Sequence, residues 1–167
     1  MKKTGLFYGM NTKKTALIGK KIQEAFGKEQ PDLVPIEEAW KQDFEKYDNL
    51  IVGASTWFDG ELPTYWDELV PELTSLKLHG KKVAIFGLGD QKNYPENFVD
   101  GIGILAEVFE RAGADIIGLT STEGYAFDKS RALRNGQFLG LVIDEENQAE
   151  LTDKRIQEWV KEISLRF

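Results

Sequence analysis

Three stretches of the sequence hold residue types that could act together. The first, Gly9-Met10-Asn11-Thr12-Lys13-Lys14-Thr15, lies between an apolar run and an amphipathic one. Its hydroxyls, ammonium groups and the free N–H groups of a helix start could surround a phosphate. The same residues also suit an ordinary helix N-terminus with Thr12 as its N-cap. The second stretch, Ser55-Thr56-Trp57-Phe58-Asp59-Gly60-Glu61-Leu62, puts two adjacent aromatics at the end of a β-rich run, where they are hard to hide in a core. The third, Gly87-Leu88-Gly89-Asp90-Gln91-Lys92-Asn93-Tyr94-Pro95-Glu96-Asn97, carries one aromatic on a polar, glycine-containing turn. Taken singly, each aromatic suits half-buried packing. Taken together beside a phosphate cradle, they suit a flat ring system, because stacking gains from contact area and the polar backbone can meet a heterocycle's edge.

The elements that position these stretches follow from periodicity. Lys3–Tyr8, Leu33–Ile36, Asn49–Ala54, Lys82–Leu88 and Ala114–Leu119 are short β-rich apolar runs and read as buried strands. Thr15–Phe26, Tyr65–Leu73, Asn97–Arg111 and Thr152–Ser164 carry apolar residues at helical spacing. A weaker helical signal, confined to Pro35–Trp40, separates the second strand from the third. Alternating strands and helices imply right-handed crossovers and a doubly wound α/β domain whose parallel sheet is covered on both faces. In such sheets ligands bind beyond the carboxyl ends of the strands, where strand order reverses, which selects the loops 9–15, 55–62 and 88–98. After Leu119 a polar segment runs to Gly136 before Phe138-Leu139-Gly140-Leu141-Val142-Ile143 turns strand-like again, so the last strand reads as interrupted by an insertion.

Composition narrows the chemistry. A length of 167 residues suits one domain, and 41% hydrophobic with 29% charged residues is the balance of a water-soluble globular protein. The N-terminal residues do not resemble a secretory signal, so the expected location is cytoplasmic. There is no cysteine, which removes disulfides, thiol nucleophiles and Cys-ligated clusters, so any electron must sit on a bound cofactor. A net charge of −7 disfavours nucleic acid and favours basic partners. The lone histidine, His79, reads as a surface turn residue rather than a metal ligand.

Gly5-Leu6-Phe7-Tyr8-Gly9, Pro63 after Gly60-Glu61-Leu62, Gly87-Leu88-Gly89-Asp90-Gln91, Tyr94-Pro95-Glu96-Asn97 and Ser121-Thr122-Glu123-Gly124-Tyr125 together strongly resemble the long-chain flavodoxins. Ala132-Leu133-Arg134-Asn135-Gly136, Asp144-Glu145-Glu146-Asn147-Gln148 and Thr152-Asp153-Lys154-Arg155-Ile156 extend the resemblance over nearly the whole chain. It implies a five-stranded parallel sheet of order 2-1-3-4-5, the fifth strand interrupted by the long-chain insertion, and one non-covalently bound FMN. It further implies that Asn11, Thr12, Lys13, Lys14 and Thr15 hold the phosphate and that Trp57 and Tyr94 enclose the ring. Thr56, Asp90, Gln91 and Asn97 would line the ring's polar edge, and Glu146 would lie near the ribityl chain. Met10, Ser55, Phe58, Gly60 and Gly89 complete the implied cofactor-binding set. The sequence departs from the family at Met10, where Thr or Ser is usual, at Lys13, where Gly is usual, and at Lys92-Asn93, which replace an apolar residue and a glycine.

The resemblance implies a monomeric low-potential electron carrier that does no substrate chemistry. Its implied partners are a ferredoxin/flavodoxin–NADP reductase and acceptors such as photosystem I or nitrogenase. An FMN-dependent quinone or nitro reductase on the same fold would need an open pocket over the ring and a second nucleotide site, yet Gly87-Leu88-Gly89 continues to Lys92 rather than to a third glycine. A phosphoacceptor signalling module would need an acidic pair after the first strand and an Asp after the third, where Gly9-Met10-Asn11 and Ser55-Thr56 stand. A degenerate relative that keeps only a partner surface is the remaining alternative, suggested by Met10 and Lys13.

Overall fold

The structure, a computed structural model, describes residues 3–10, 12–56 and 60–167. Parallel strands β1 (Thr4–Tyr8), β2 (Asp32–Pro35), β3 (Asn49–Ser55), β4 (Lys82–Leu88) and β5 (Asp115–Ile117) lie in the order β2-β1-β3-β4-β5. Register places Leu6 beside Leu33 and Ile51, Ile51 beside Ala84, and Ala84 beside Ile117. Helices α1 (Lys13–Ala25), α2 (Lys41–Glu45), α3 (Thr64–Leu73), α4 (Asp100–Arg111) and α5 (Thr152–Ser164) cover the sheet.

The two-residue period of the strands divides the interior in two. Leu50, Val52 and Ala54 of β3 and Val83 and Ile85 of β4 face Phe44, Trp66, Leu105 and Phe109 of α2, α3 and α4. Leu6, Ile51, Ala84 and Phe86 face Ile18 and Ile22 of α1 and Ile156, Trp159, Val160 and Ile163 of α5. The central strands β3 and β4 are apolar through their middles because neither of their faces meets water.

The fifth strand is interrupted as expected. β5 runs beside Lys82–Ala84, and β9 (Leu141–Ile143) continues the same edge beside Phe86–Leu88. The chain leaves the sheet at Gly118, whose φ of 77° only glycine adopts cheaply, while the Trp159 indole N–H bonds the Gly118 carbonyl at 2.8 Å. The excursion forms a small antiparallel sheet of β6 (Thr120–Ser121), β7 (Leu133–Arg134) and β8 (Gln137–Phe138), in the order β6-β8-β7. Phe138, read from sequence as the start of the returning strand, therefore pairs in the small sheet instead.

Several boundaries differ from the sequence reading by a residue or more, and two of them have visible local reasons. The signal at Pro35–Trp40 resolves into a 3-10 turn, Ile36–Glu38, followed by α2, whose start is fixed by the Asp43 carboxylate accepting the Trp40 N–H at 2.8 Å. Helix α4 begins at Asp100 rather than Asn97 because Val99 sits in the left-handed region (φ 48°), a strained setting for a β-branched residue.

Candidate functional site

Loops from the carboxyl ends of β1, β3 and β4 converge on one end of the sheet. In the first, Gly9 packs so closely on Tyr65 of α3 that an added Cβ would lie 1.9 Å from the phenol oxygen. Burial above all pushes the Tyr65 phenol up; a hydrogen bond with Thr12 opposes this and the Glu37 charge adds to it. Thr12 occupies the N-cap position of α1 without capping it, and no acidic residue stands in the helix's first turn. The positive end of α1 is thus left for an external anion. Thr15 is fully buried, and its hydroxyl has no hydrogen-bond partner among the described residues. A buried, unpaired hydroxyl is costly unless something supplies an acceptor, so the cradle fits a phosphate. Met10 and Lys13 are exposed, and the Lys14 ammonium is paired with the Glu146 carboxylate, which brings Glu146 to this loop as well. Asn11 lies outside the described residues.

The third loop is rigidly tied. The Asp90 carboxylate accepts the N–H groups of Lys92 (3.1 Å) and Asn93 (3.0 Å) and the side-chain amides of Asn93 (2.7 Å) and Asn147 (2.8 Å). Partial burial, the largest single influence, pushes Asp90 up, but these hydrogen bonds together outweigh it and hold the carboxyl below its ordinary value. Asp144, fully buried after β9, accepts the Gln91 N–H at 3.1 Å and its side-chain amide at 2.7 Å. Gln91 oxygen in turn accepts the Ala126 N–H at 2.8 Å. The Pro95 carbonyl takes the N–H groups of Asp128 and Lys129, at 2.8 and 2.9 Å. The insertion therefore buttresses the third loop. It is packed through Tyr125, Phe127 and Phe138 against Phe98, and burial pushes the Tyr125 phenol up to about 12 while its hydroxyl donates to the Val142 carbonyl at 2.7 Å.

Between the loops lies a cavity of about 380 Å³ lined by Thr56, Gly89, Asp90, Tyr94, Asn97, Phe98 and Val99. That volume is within the range of small-molecule sites, and Tyr94 stands on its wall 57% exposed, an aromatic face left uncovered. Thr56 lines it while its Oγ1 accepts the Gly101 N–H at 3.0 Å, fastening the end of β3 to α4. Gly60 backs onto Asn97 and Asp100, and the Ser55 hydroxyl is buried without a partner among the described residues. Trp57 and Phe58 lie outside the described residues. A larger cavity, about 800 Å³, opens at the other end of the sheet among Lys3, Lys28, Asp32 and Phe167. It adjoins the amino ends of the strands, away from the switch point, so the smaller one is the better candidate despite its size.

Thr56, Gly89, Asp90, Tyr94 and Asn97 thus share one cavity. Gln91 does not: it was expected at the polar edge of a ring, but its side chain is consumed by Asp144 and Ala126, because a buried carboxylate requires donors. Sequence reasoning missed Tyr65, Glu37, Val99 and the structural role of Asp144. Of these, Asp144 had a usable signal in the Asp144-x-x-Asn147 spacing, which closes an Asx-type turn through the Asn147 N–H at 3.1 Å.

The flavodoxin family model matches residues 6–159. A flavodoxin of Trichodesmium erythraeum is 47% identical over 169 residues, covering 100% of this chain and 99% of its own. The crystal structure of Fusobacterium nucleatum flavodoxin bound to flavin mononucleotide superposes with a TM-score of 0.95 at 35% identity, covering 100% of this chain and 99% of that one. The K13G mutant of that protein, also bound to flavin mononucleotide, gives 0.95 at 34% identity, with 100% and 98% covered. No helix among the described residues is long and apolar enough to cross a membrane.

Proposed function

This chain belongs to the flavodoxin family, and we propose that it is a low-potential electron carrier that binds one FMN non-covalently, with residues 1–167 acting as one domain. The observation that carries this reading is the placement of an uncovered aromatic wall, Tyr94, and a cradle with an unpaired buried hydroxyl, Thr15, at the same end of the sheet. When bound, FMN supplies reversible one-electron transfer.

The chain supplies the rest. Thr15, Thr12 and the positive end of α1 hold the phosphate, with Lys13 and Lys14 adding charge. Tyr94 covers one ring face and Trp57 the other, with Phe58 in the cofactor-binding set beside it. Backbone groups of Gly89 and Asp90, with Thr56 and Asn97, meet the ring's polar edge, and the Asp90–Asn147 network keeps that edge fixed so that little reorganises as charge changes. Among the described residues lining the cavity, only the Asp90 carboxyl and the Tyr94 phenol can exchange a proton, and the carboxyl is tied up in hydrogen bonds, which suits transfer of electrons rather than transformation of a substrate.

The net charge of −7 steers the protein to basic partners in fast, salt-sensitive encounters. The partner set is a ferredoxin/flavodoxin–NADP reductase on one side and photosystem I, nitrogenase or another low-potential enzyme on the other, met in the cytoplasm by a monomer. The visible spectrum of the purified protein tests the reading: a flavin spectrum with quenched fluorescence is expected. A protein that stays colourless with added FMN would overturn it, and sustained NADPH oxidation by the protein alone would point to a reductase.

A further inference from the structure

Glu37 lies half-buried on the 3-10 turn after β2, and its Oε2 accepts the N–H of Met10 at 2.9 Å. Met10 begins the phosphate cradle, so a backbone donor at the mouth of that cradle is held by a carboxylate of the protein itself. Tyr65 packs on Gly9 and lines, with Glu37 and Glu38, a separate cleft of about 450 Å³ beside the cradle. A carboxylate and a phosphate are the same kind of acceptor for an N–H.

We propose that Glu37 is an internal stand-in for the FMN phosphate, holding the Met10 N–H when the cofactor is absent and setting how tightly the phosphate binds. The proposal rests on the FMN reading above. A phosphate that enters carries nearly two negative charges near neutral pH. Either Glu37 releases Met10 to it, or the two anions stay as neighbours; both oppose the phosphate and neither touches the ring. Glu37 therefore lowers affinity for FMN and leaves that for riboflavin, which has the ring but no phosphate.

Glu37→Gln tests this, because the amide keeps one acceptor oxygen of the same reach for the Met10 N–H while removing the charge and turning the second oxygen into a donor. Glu38→Gln makes the same change in net charge one residue on and serves as the control. FMN and riboflavin are titrated into apoprotein, reading fluorescence quenching, at low and at high salt. The expected result is FMN bound about three- to tenfold more tightly by Glu37→Gln at low salt, less so at high salt, with riboflavin unchanged and Glu38→Gln within about twofold for both. Unchanged or weaker FMN binding in Glu37→Gln, an equal change for riboflavin, or an equal gain in Glu38→Gln would overturn the proposal while leaving the cofactor assignment standing. Failure of the unaltered protein to bind FMN would overturn both.

Discussion

The two sides of the site are built by opposite means. The third loop is satisfied from within: Asp90 and Asp144 accept donors from Gln91, Lys92, Asn93 and Asn147, and the insertion adds Ala126, Asp128 and Lys129. The first loop is not: Thr15 lacks an acceptor, the α1 start lacks an acid, and its available donors at Met10 and Lys14 are taken by Glu37 and Glu146. The lesson is that the ring side is preorganised by protein contacts, whereas the phosphate side is completed only by an anion. Ring affinity should then depend on the stability of the fold, and phosphate affinity on local charge.

The sharpest way to break this contrast is Asp144→Ala, which strands the buried Gln91 N–H and side-chain amide. It should destabilise the apoprotein by about 3 kcal/mol or more in urea unfolding, the cost of several buried donors left unsatisfied. Stability within 1 kcal/mol of the unaltered protein would show that the third loop does not depend on this network. Thr15→Val is the converse. Apoprotein stability should hold or rise slightly, since the hydroxyl has no partner to lose, while FMN binding should weaken by about 1.5–3 kcal/mol, the value of a hydrogen bond to a charged group. Riboflavin binding should not change, and an equal loss for both ligands would contradict a phosphate role.

Tyr94→Ala should weaken FMN and riboflavin alike by about 1–3 kcal/mol, as expected for removing one aromatic from a stacked ring. Unequal losses would mean that Tyr94 acts through the first loop. A smaller effect concerns acid. Asp90 is held below its ordinary value in the fold, so the stability it contributes is present above the normal aspartate range and is lost as pH falls through the lowered value. Asp100 is shifted the other way, raised chiefly by burial against the opposing Arg131 N–H and charge, so its contribution is lost as pH rises. The difference between acid unfolding curves of the unaltered protein and Asp90→Asn isolates the first: the variant should lose less stability between neutral pH and pH about 3.

Much of this was legible before the fold was seen, and the misses share a cause. The strand and helix alternation is local, so β4 and α5 match their sequence limits, and the polar run after Leu119 marked the insertion. The switch-point rule then picked out the loops, and the family resemblance picked out Thr56, Asp90, Tyr94 and Asn97 within them, all of which line the cavity. Gln91 was misread because its partner lies at Asp144, far along the chain, and no local period encodes a pairing across the insertion. Glu37 and Tyr65 escaped for the same reason: each reaches the first loop from another element. Val99 could not be found at all, since a β-branched residue is a poor guess for a left-handed turn.

The finest test of the contrast is Lys13, where the family usually has glycine. Here Lys13 is the first residue of α1, in ordinary helical conformation, so the backbone does not need glycine. Lys14 is already paired with Glu146, whereas Lys13 enters no ion pair among the described residues, which leaves its charge as the one that a phosphate would newly engage. In the empty protein a cation at a helix N-terminus opposes the dipole by about 0.3–1 kcal/mol. Lys13→Gly removes that cost and the later attraction together, while glycine adds its own entropic cost within the helix's first turn. The expected net result is modest: FMN binding weakened about two- to fourfold at low salt, with a flatter salt dependence, and riboflavin unaffected. Titrations of both ligands at two salt concentrations decide it. If FMN affinity ignores both salt and the substitution, Lys13 points to solvent and the phosphate side draws its affinity from Thr15, Lys14 and the helix dipole instead.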